Sequence, residues 1–315
     1  MRLYILLGVL FGIIYMAVTV IGTAIGITGF YFYIFLAFFI MFIQYMIGPK
    51  IVEWSMRVRY VDKKEYFNLH NMVEALARGA QIPTPKIGIA QINIPNAFAF
   101  GRSLADGRVC VTESLLKLLD ENEMRAVLGH EISHLKNRDV LTITLLSVIP
   151  MLLWRVAFHF VFFGSGRRRS EGGGYTILIG LAAFLFYFIT NLLVLYASRI
   201  REYFADSGSI ALGNRPQAFA SALYKLVYAS ARVPKSEIKD AEGLKAFFVN
   251  DPSRAMAEFK ELSQVDIDRS GTIDASELLA LRQAKLNLKT SDKFLEILST
   301  HPNMLKRIKR LSQYQ

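Results

Sequence analysis

Apolar residues gather in long uninterrupted runs near the start of the chain and again past its middle. Leu3 to Gly26 and Ile27 to Gly48 contain no charged residue. Each is long enough to cross about 30 Å of hydrocarbon as a helix, which predicts a transmembrane hairpin. A cleaved leader is the alternative for the first run, but the run is too long and no small-residue cleavage site precedes the second. A second apolar pair, Val140 to Gly164 and Tyr175 to Ser198, flanks a short segment carrying Arg167, Arg168 and Arg169. Arg155 and His159 lie inside the third run at i, i+4 spacing. Between the pairs the pattern changes: Asp62 to Gly79 reads as an amphipathic helix, broken by Gln81-Ile-Pro-Thr-Pro85. Short strand-like runs follow at Lys86–Ala90 and Arg108–Thr112, then helices at Glu113–Leu119 and Glu123–Leu135, the second entered through the capping cluster Asp120-Glu-Asn122.

Composition agrees with lipid-embedded runs. Of 315 residues 53% are hydrophobic, above the range of ordinary soluble domains. The formal charge of +11 comes with no nucleic-acid motif. Lys50, Arg57, Arg59, Lys63 and Lys64 follow the second run and Arg199 and Arg201 follow the fourth, so the positive-inside rule puts the polar segments in the cytosol. The three arginines between the third and fourth runs oppose that assignment. Cys110 is the single cysteine, so no internal disulfide forms and nothing argues for an oxidising compartment.

The candidate chemistry lies on the last of these helices. His130-Glu131-Ile132-Ser133-His134 is His-Glu-x-x-His, whose i, i+4 spacing turns two imidazoles to one face where they can share a cation. Glu131 then lies beside an activated water and can act as general base. A catalytic zinc needs a third protein ligand and an open position, and Glu202 in Arg201-Glu-Tyr-Phe-Ala-Asp206 is the best downstream source. Asp206, one turn on, can fix the tautomer of a ligating histidine. Read apart from the upstream motif, Glu202 and Asp206 are ordinary surface charges, and two imidazoles with one carboxylate also suit manganese, cobalt or iron.

Leu128-Gly-His-Glu-Ile-Ser-His-Leu-Lys-Asn-Arg-Asp139, Ser198-Arg-Ile-Arg-Glu-Tyr-Phe-Ala-Asp206 and Asn96-Ala-Phe-Ala99, three motifs separated along the chain, together resemble the HtpX family of membrane zinc proteases, related to the CAAX prenyl proteases. The resemblance implies that His130, His134 and Glu202 hold one zinc and that Glu131 is the catalytic base. It implies that Asn96, Ala97, Phe98 and Ala99 form an edge strand pairing with an extended substrate. The alternative is a core strand with Phe98 and Phe100 as packing residues. Ser299-Thr-His301-Pro302 with Arg307 also resembles the family, in which such a His and Arg lie near the metal and stabilise the oxyanion. Without the resemblance His301 is a helix-start residue and Arg307 a surface charge.

One segment departs from the family pattern. Asp266, Asp268, Ser270, Thr272, Asp274 and Glu277 occupy the ligand positions of a twelve-residue EF-hand loop, with Gly271 sixth and Ile273 eighth. Apolar residues flank it, Phe259, Leu262 and Val265 before and Leu278, Leu279 and Leu281 after, as helix, loop, helix requires. No second loop is present, and the alternatives are an empty loop or one holding Mg²⁺.

The expected molecule is therefore a mainly α membrane protein with a gluzincin-like catalytic domain, a small mixed sheet and two transmembrane helical hairpins. Residues 1–48 form the first hairpin, 49–139 a cytosolic protease part, 140–198 the second hairpin and 199–315 the remaining protease part, with an EF-hand-like insertion at 254–286. The expected activity is zinc-dependent endopeptidase, with Ca²⁺ as a modulating second metal, in a multi-pass cell-membrane protein whose site faces the cytosol. Its partners would be membrane-protein or unfolded polypeptide substrates and the lipid bilayer, with no nucleic acid and an open oligomeric state. A calcium-responsive membrane adaptor without catalysis is the rival, which the intact Glu131 disfavours.

Overall fold

The computed structural model describes residues 30–162, 173–240, 248–284 and 296–314. The first apolar run, the three arginines at 167–169 and the C-terminal edge of the 254–286 segment lie outside the described residues. Helix α1, Phe30–Ser55, carries most of the second run and exposes Phe35, Phe38, Phe39 and Phe42. Helices α5, Asp139–Phe162, and α6, Gly173–Ala211, carry the second pair. Two stretches among the described residues, Asp139–Phe158 and Ile177–Ala211, are long and apolar enough to cross a membrane, and little of either is buried within the protein. Small residues let α5 and α6 pack closely. A Cβ on Gly180 would come within 2.6 Å of Val161, and Ala157 and Ala183 are buried at the same interface. Trp154 lies across it, with ring centroids 5.2 Å from Tyr187 and 6.1 Å from Phe184.

The sheet has the order β1-β2-β4-β3 and is mixed. Strand β1, Val58–Tyr60, is antiparallel to β2, Lys86–Ala90; β2 is parallel to β4, Arg108–Thr112; and β4 is antiparallel to β3, Ala97–Phe100. The bounds of β2 and β4 coincide with the runs expected from sequence. β3 is an edge strand, yet Phe98 and Phe100 are buried beneath it, so the edge-strand and packing-strand readings both describe it. Asn96 is not part of the strand: its Oδ1 accepts from the Val249 amide at 3.0 Å and its N–H donates to Thr112 Oγ1 at 2.9 Å.

Helix α2, Phe67–Ala80, begins later than the expected Asp62 because residues 62–66 form a turn. It buries Leu69, Val73, Leu76 and Ala80, the period of one helical face, and ends on Gln81 in the left-handed conformation before the two prolines. After β4 come α3, Glu113–Leu118, and α4, Glu121–Lys136, which starts with a complete capping box between Asp120 and Glu123. Nearly all of α4 is buried, so it runs through the core. Around it pack α7, Pro216–Ala231, then, after the short α8, Lys235–Asp240, helices α9, Ala255–Leu262, α10, Ala275–Gln283, and α11, Met304–Leu311. Leu262, Val265, Ile273, Leu278 and Leu281 share this core, so the helix-loop-helix expected as an insertion is built into it.

Glu258 on α9 is buried, and its Oε2 has no hydrogen-bond partner. Burial pushes its carboxyl up to about 7, against the neighbouring Arg254, which favours ionisation. A carboxyl harder to ionise in the fold than in the unfolded chain costs nothing below about pH 4 and destabilises increasingly as pH rises towards 7, with the full cost above it. Replacing Glu258 with Gln is expected to stabilise the protein by on the order of 2–3 kcal/mol at pH 8 and by much less at pH 5. Thermal unfolding at the two pH values checks this, and an equal gain at both would sink it.

Candidate metal centre

Glycines at a helix crossing bring the site together. A Cβ on Gly208 of α6 would lie 2.4 Å from Ser133 Oγ and 2.8 Å from Ser133 Cβ of α4. A Cβ on Gly129 of α4 would lie 2.3 Å from Asn214 Nδ2 and 2.8 Å from Ser209 Oγ. Ser209 Oγ donates to the Ala126 carbonyl at 2.6 Å, tying the helices together at that point. Helix α6 continues through Ser198, where the fourth apolar run ends, and carries Glu202 and Asp206 to meet α4. These two residues lie beyond the apolar part, packed into the catalytic core.

His130 Nε2 and His134 Nε2 lie 3.1 Å apart, with Glu202 Oε2 3.6 Å from the first and Glu202 Oε1 3.5 Å from the second. The three ligand atoms fall within 4.8 Å of one another. Each histidine also has its own carboxylate: Asp206 Oδ1 lies 3.0 Å from His130 Nδ1, and Asp139 Oδ2 2.5 Å from His134 Nδ1. This leaves both Nε2 atoms turned towards Glu202. The pairing of His134 with Asp139 was not foreseen from sequence. Its signal was the end of α4 at Lys136 followed by Arg138 at φ 54°, a sharp break that folds Asp139 back onto the helix.

Arg307 of α11 is fully buried. Its Nε and Nη2 donate to Asp206 at 3.0 and 2.6 Å, its Nη1 donates to the Val249 carbonyl at 2.9 Å, and the same Nη1 lies 3.5 Å from Glu202. His301 Nδ1 is 3.6 Å from Glu202 Oε2, and both of its ring nitrogens are buried without a hydrogen-bond partner. The two tail residues thus differ: His301 has free donors at the site, whereas Arg307 is committed behind the ligands. Glu131 is buried beside the histidines, with the Ala99 backbone of β3 close enough to favour its ionised form slightly.

Burial raises the Glu131 carboxyl above its ordinary range, and the two histidines only partly offset this. Burial would also raise Glu202 and Asp206, but the positive groups around them prevail: His301 and His130 hold Glu202 well below its usual range, and Arg307 and His130 lower Asp206. Burial works against charge on His130, yet hydrogen bonding to Asp206 and Glu202 outweighs it and lifts its pKa to about 9.

The donor set fits a divalent cation. Among the described residues, Glu131, Glu202, Asp206 and Asp139 face only Arg307 and Arg201 as permanent cations, the latter 3.2 Å from Asp139. Two imidazoles and one carboxylate are a zinc-type combination. The second cluster that the sequence singled out lies apart from this one. The carboxylates of Asp266, Asp268 and Glu277 also fall within 4.8 Å of each other, Ser270 Oγ lies 2.9 Å from Thr272 Oγ1, and Asp274 caps α10.

With this geometry in place the relatives are informative. Residues 63–315 match peptidase family M48, and the chain belongs to that family. Within it the similar proteins are of HtpX type. The chain is 48% identical over 243 residues to a protease HtpX homolog of Methanothermobacter thermautotrophicus, covering 77% of this chain and 91% of the relative. It is 32% identical over 308 residues to the Thermoplasma acidophilum homolog, covering 96% and 92%. Among solved structures, S. mikatae Ste24p shares the fold at a TM-score of 0.51 and 19% identity, over 78% of this chain and 66% of that one.

Gly208→Ala is expected to drive α4 and α6 apart, costing about 1–3 kcal/mol and lowering zinc content, because the added methyl meets Ser133 at once. Adding Ser133→Gly should recover part of both; metal analysis and melting of the single and double variants check it, and a double variant worse than the single one would overturn the steric account. Because His130 holds a proton up to about pH 9, zinc uptake at pH 7.5 should release about one proton per ion. Calorimetric titration in buffers of different ionisation enthalpy measures this, and no net release would contradict the assigned charge state.

Proposed function

We propose that this protein is a membrane-embedded zinc endopeptidase of gluzincin type that cleaves unfolded or damaged membrane proteins on the cytosolic side of the bilayer. The observation that carries the reading is the convergence of His130, His134 and Glu202 on one point beside Glu131, with the edge strand β3 touching that same Glu131 through Ala99. Zinc held by the three ligands would polarise a scissile carbonyl and activate water there. Glu131, buried and with a raised pKa, takes the proton from the attacking water and hands it to the leaving nitrogen. His301, with both ring nitrogens unpartnered, donates to the oxygen that gains negative charge. Arg307 is a positioning residue: it fixes Asp206, which orients His130.

Strand β3 offers backbone to an extended peptide on the side away from β4, the pairing that suits unfolded chains of varied sequence. Glu202 follows the apolar part of α6 by only four residues, or about 6 Å of helix rise, so a substrate reaching it would lie at the membrane surface. The basic residues after the second and fourth apolar runs favour the cytosolic face for that surface. A non-catalytic adaptor built on the same scaffold has no use for Glu131, which would be a buried carboxylate without purpose in it.

The test compares wild type and Glu131→Gln purified in detergent, with bound zinc and cleavage of an unfolded casein-like substrate measured in both. Loss of cleavage by roughly 10²–10⁴-fold with zinc retained is the expected result. Equal cleavage by the two proteins, or no zinc and no cleavage in the wild type across several lipid conditions, would defeat the reading.

A further inference from the structure

The loop between α9 and α10 takes no part in the chemistry around His130, yet it is far more constrained than a surface turn. Asp266, Asp268, Ser270, the Thr272 carbonyl, Asp274 and Glu277 hold positions 1, 3, 5, 7, 9 and 12 of a calcium loop. The residues that are not ligands fit as well. Gly271, sixth, has φ +79°, and Ile273, eighth, is buried in the main core. A separate observation is electrical. The Asp266 and Glu277 side chains are 6% and 4% exposed, and among the described residues their partners are neutral donors: the amides of Ile267, Ser270, Gly271 and Asp274 and the Tyr224 hydroxyl. Two buried carboxylates therefore lie side by side among neutral donors alone, an arrangement that leaves a cation as the missing charge partner. Hard oxygen ligands in this number and order select calcium.

The loop also grips the helix that carries Arg307. Asn303, which caps α11, donates from Nδ2 to Glu261 Oε2 of α9 at 2.8 Å, and Lys309 of α11 donates to the Ala284 carbonyl just past α10. Ile308 and Leu311 pack in the same core as Leu262, Ile273 and Leu278. From α11 the path is short: Arg307 to Asp206, and Asp206 to His130 Nδ1.

We propose that residues 266–277 bind one calcium ion, and that the filled loop fixes α11 and through Arg307 and Asp206 the metal-binding face of His130. Calcium then acts as a regulator of the active centre rather than a participant in it. The consequence for proteolysis rests on the endopeptidase reading, but the site and its hold on α11 do not. By reciprocity, an ion that orders α11 also binds more tightly when the zinc ligands are engaged.

The test uses the full zinc-loaded chain in detergent, depleted of calcium by dialysis. Calcium uptake is measured by equilibrium dialysis to about 1 mM, and hydrogen exchange is followed in the peptide spanning 304–311. The wild type should take up one calcium, and at about ten times Kd the slowest amides of that peptide should exchange roughly tenfold more slowly. Asp268→Asn, at an exposed position where folding is not at stake, should lose most of the uptake and the protection. Glu261→Ala, which removes the acceptor of Asn303, should keep the uptake and lose the protection of 304–311. No uptake by about 1 mM, uptake without protection of 304–311, full protection in Glu261→Ala, or the same effects from magnesium at equal concentration would each overturn the proposal. None of these readouts needs cleavage, so they stand apart from the fate of the endopeptidase reading.

Discussion

The close crossing of α4 and α6 is the constraint on which the site depends. Gly129 and Gly208 leave the room in which the side chains of Asn214, Ser209 and Ser133 seat between the helices, and Ser209 locks the crossing with a hydrogen bond to Ala126. At that separation His130 and His134 on one helix and Glu202 on the other bring their ligand atoms within 4.8 Å of one another, a group that could hold one cation. The crossing also sets the depth of the site. Because α6 runs without a break from its apolar part into the catalytic core, Glu202 stands at a fixed height from the end of that part. A helix is stiff over this distance, so the geometry of the site and its position along α6 are a single mechanical property.

Legibility from sequence followed the range of the interactions. The His-Glu-x-x-His helix, its capping box and the bounds of β2 and β4 are local patterns, and each was visible in the chain. Glu202 could be named only because the motif at 130–134 demanded a third ligand. The continuity of α6 was obscured because hydropathy falls at Ser198 and Arg199 while the helix goes on; polarity changed there, but the backbone had no Gly or Pro to stop it. Asn96 reads in sequence as the start of a substrate-binding strand, whereas its side chain is spent on the Val249 amide 153 residues away. Gly129 and Gly208 gave no warning, since a helical glycine declares its role only once its neighbour is known.

The charges explain why the site recruits residues from so far along the chain. Glu131, Glu202, Asp206 and Asp139 are all buried, and each ionised carboxylate taken from water carries a penalty of several kcal/mol unless paired. Asp139 meets Arg201, and Asp206 meets Arg307 through two hydrogen bonds in the fork geometry that only a guanidinium supplies. A lysine at 307 would give one point of contact and leave the Val249 carbonyl without its donor.

Arg307 therefore has a function beyond fastening α11. Glu202 is useful as a ligand only while it is ionised, and burial alone would push its pKa upward until a proton competed with the metal. His301 and His130 chiefly work against that, as Arg307 does for Asp206, and both His301 and Arg307 arrive from the C-terminal segment of the chain. Until α11 docks, the two carboxylates of α6 would be buried without a permanent positive charge, so the ligand set reaches its working protonation state only when the C-terminal segment is in place. The helix that carries His130 and His134 lies in the middle of the sequence, but the charge balance of its site is decided at the end of it.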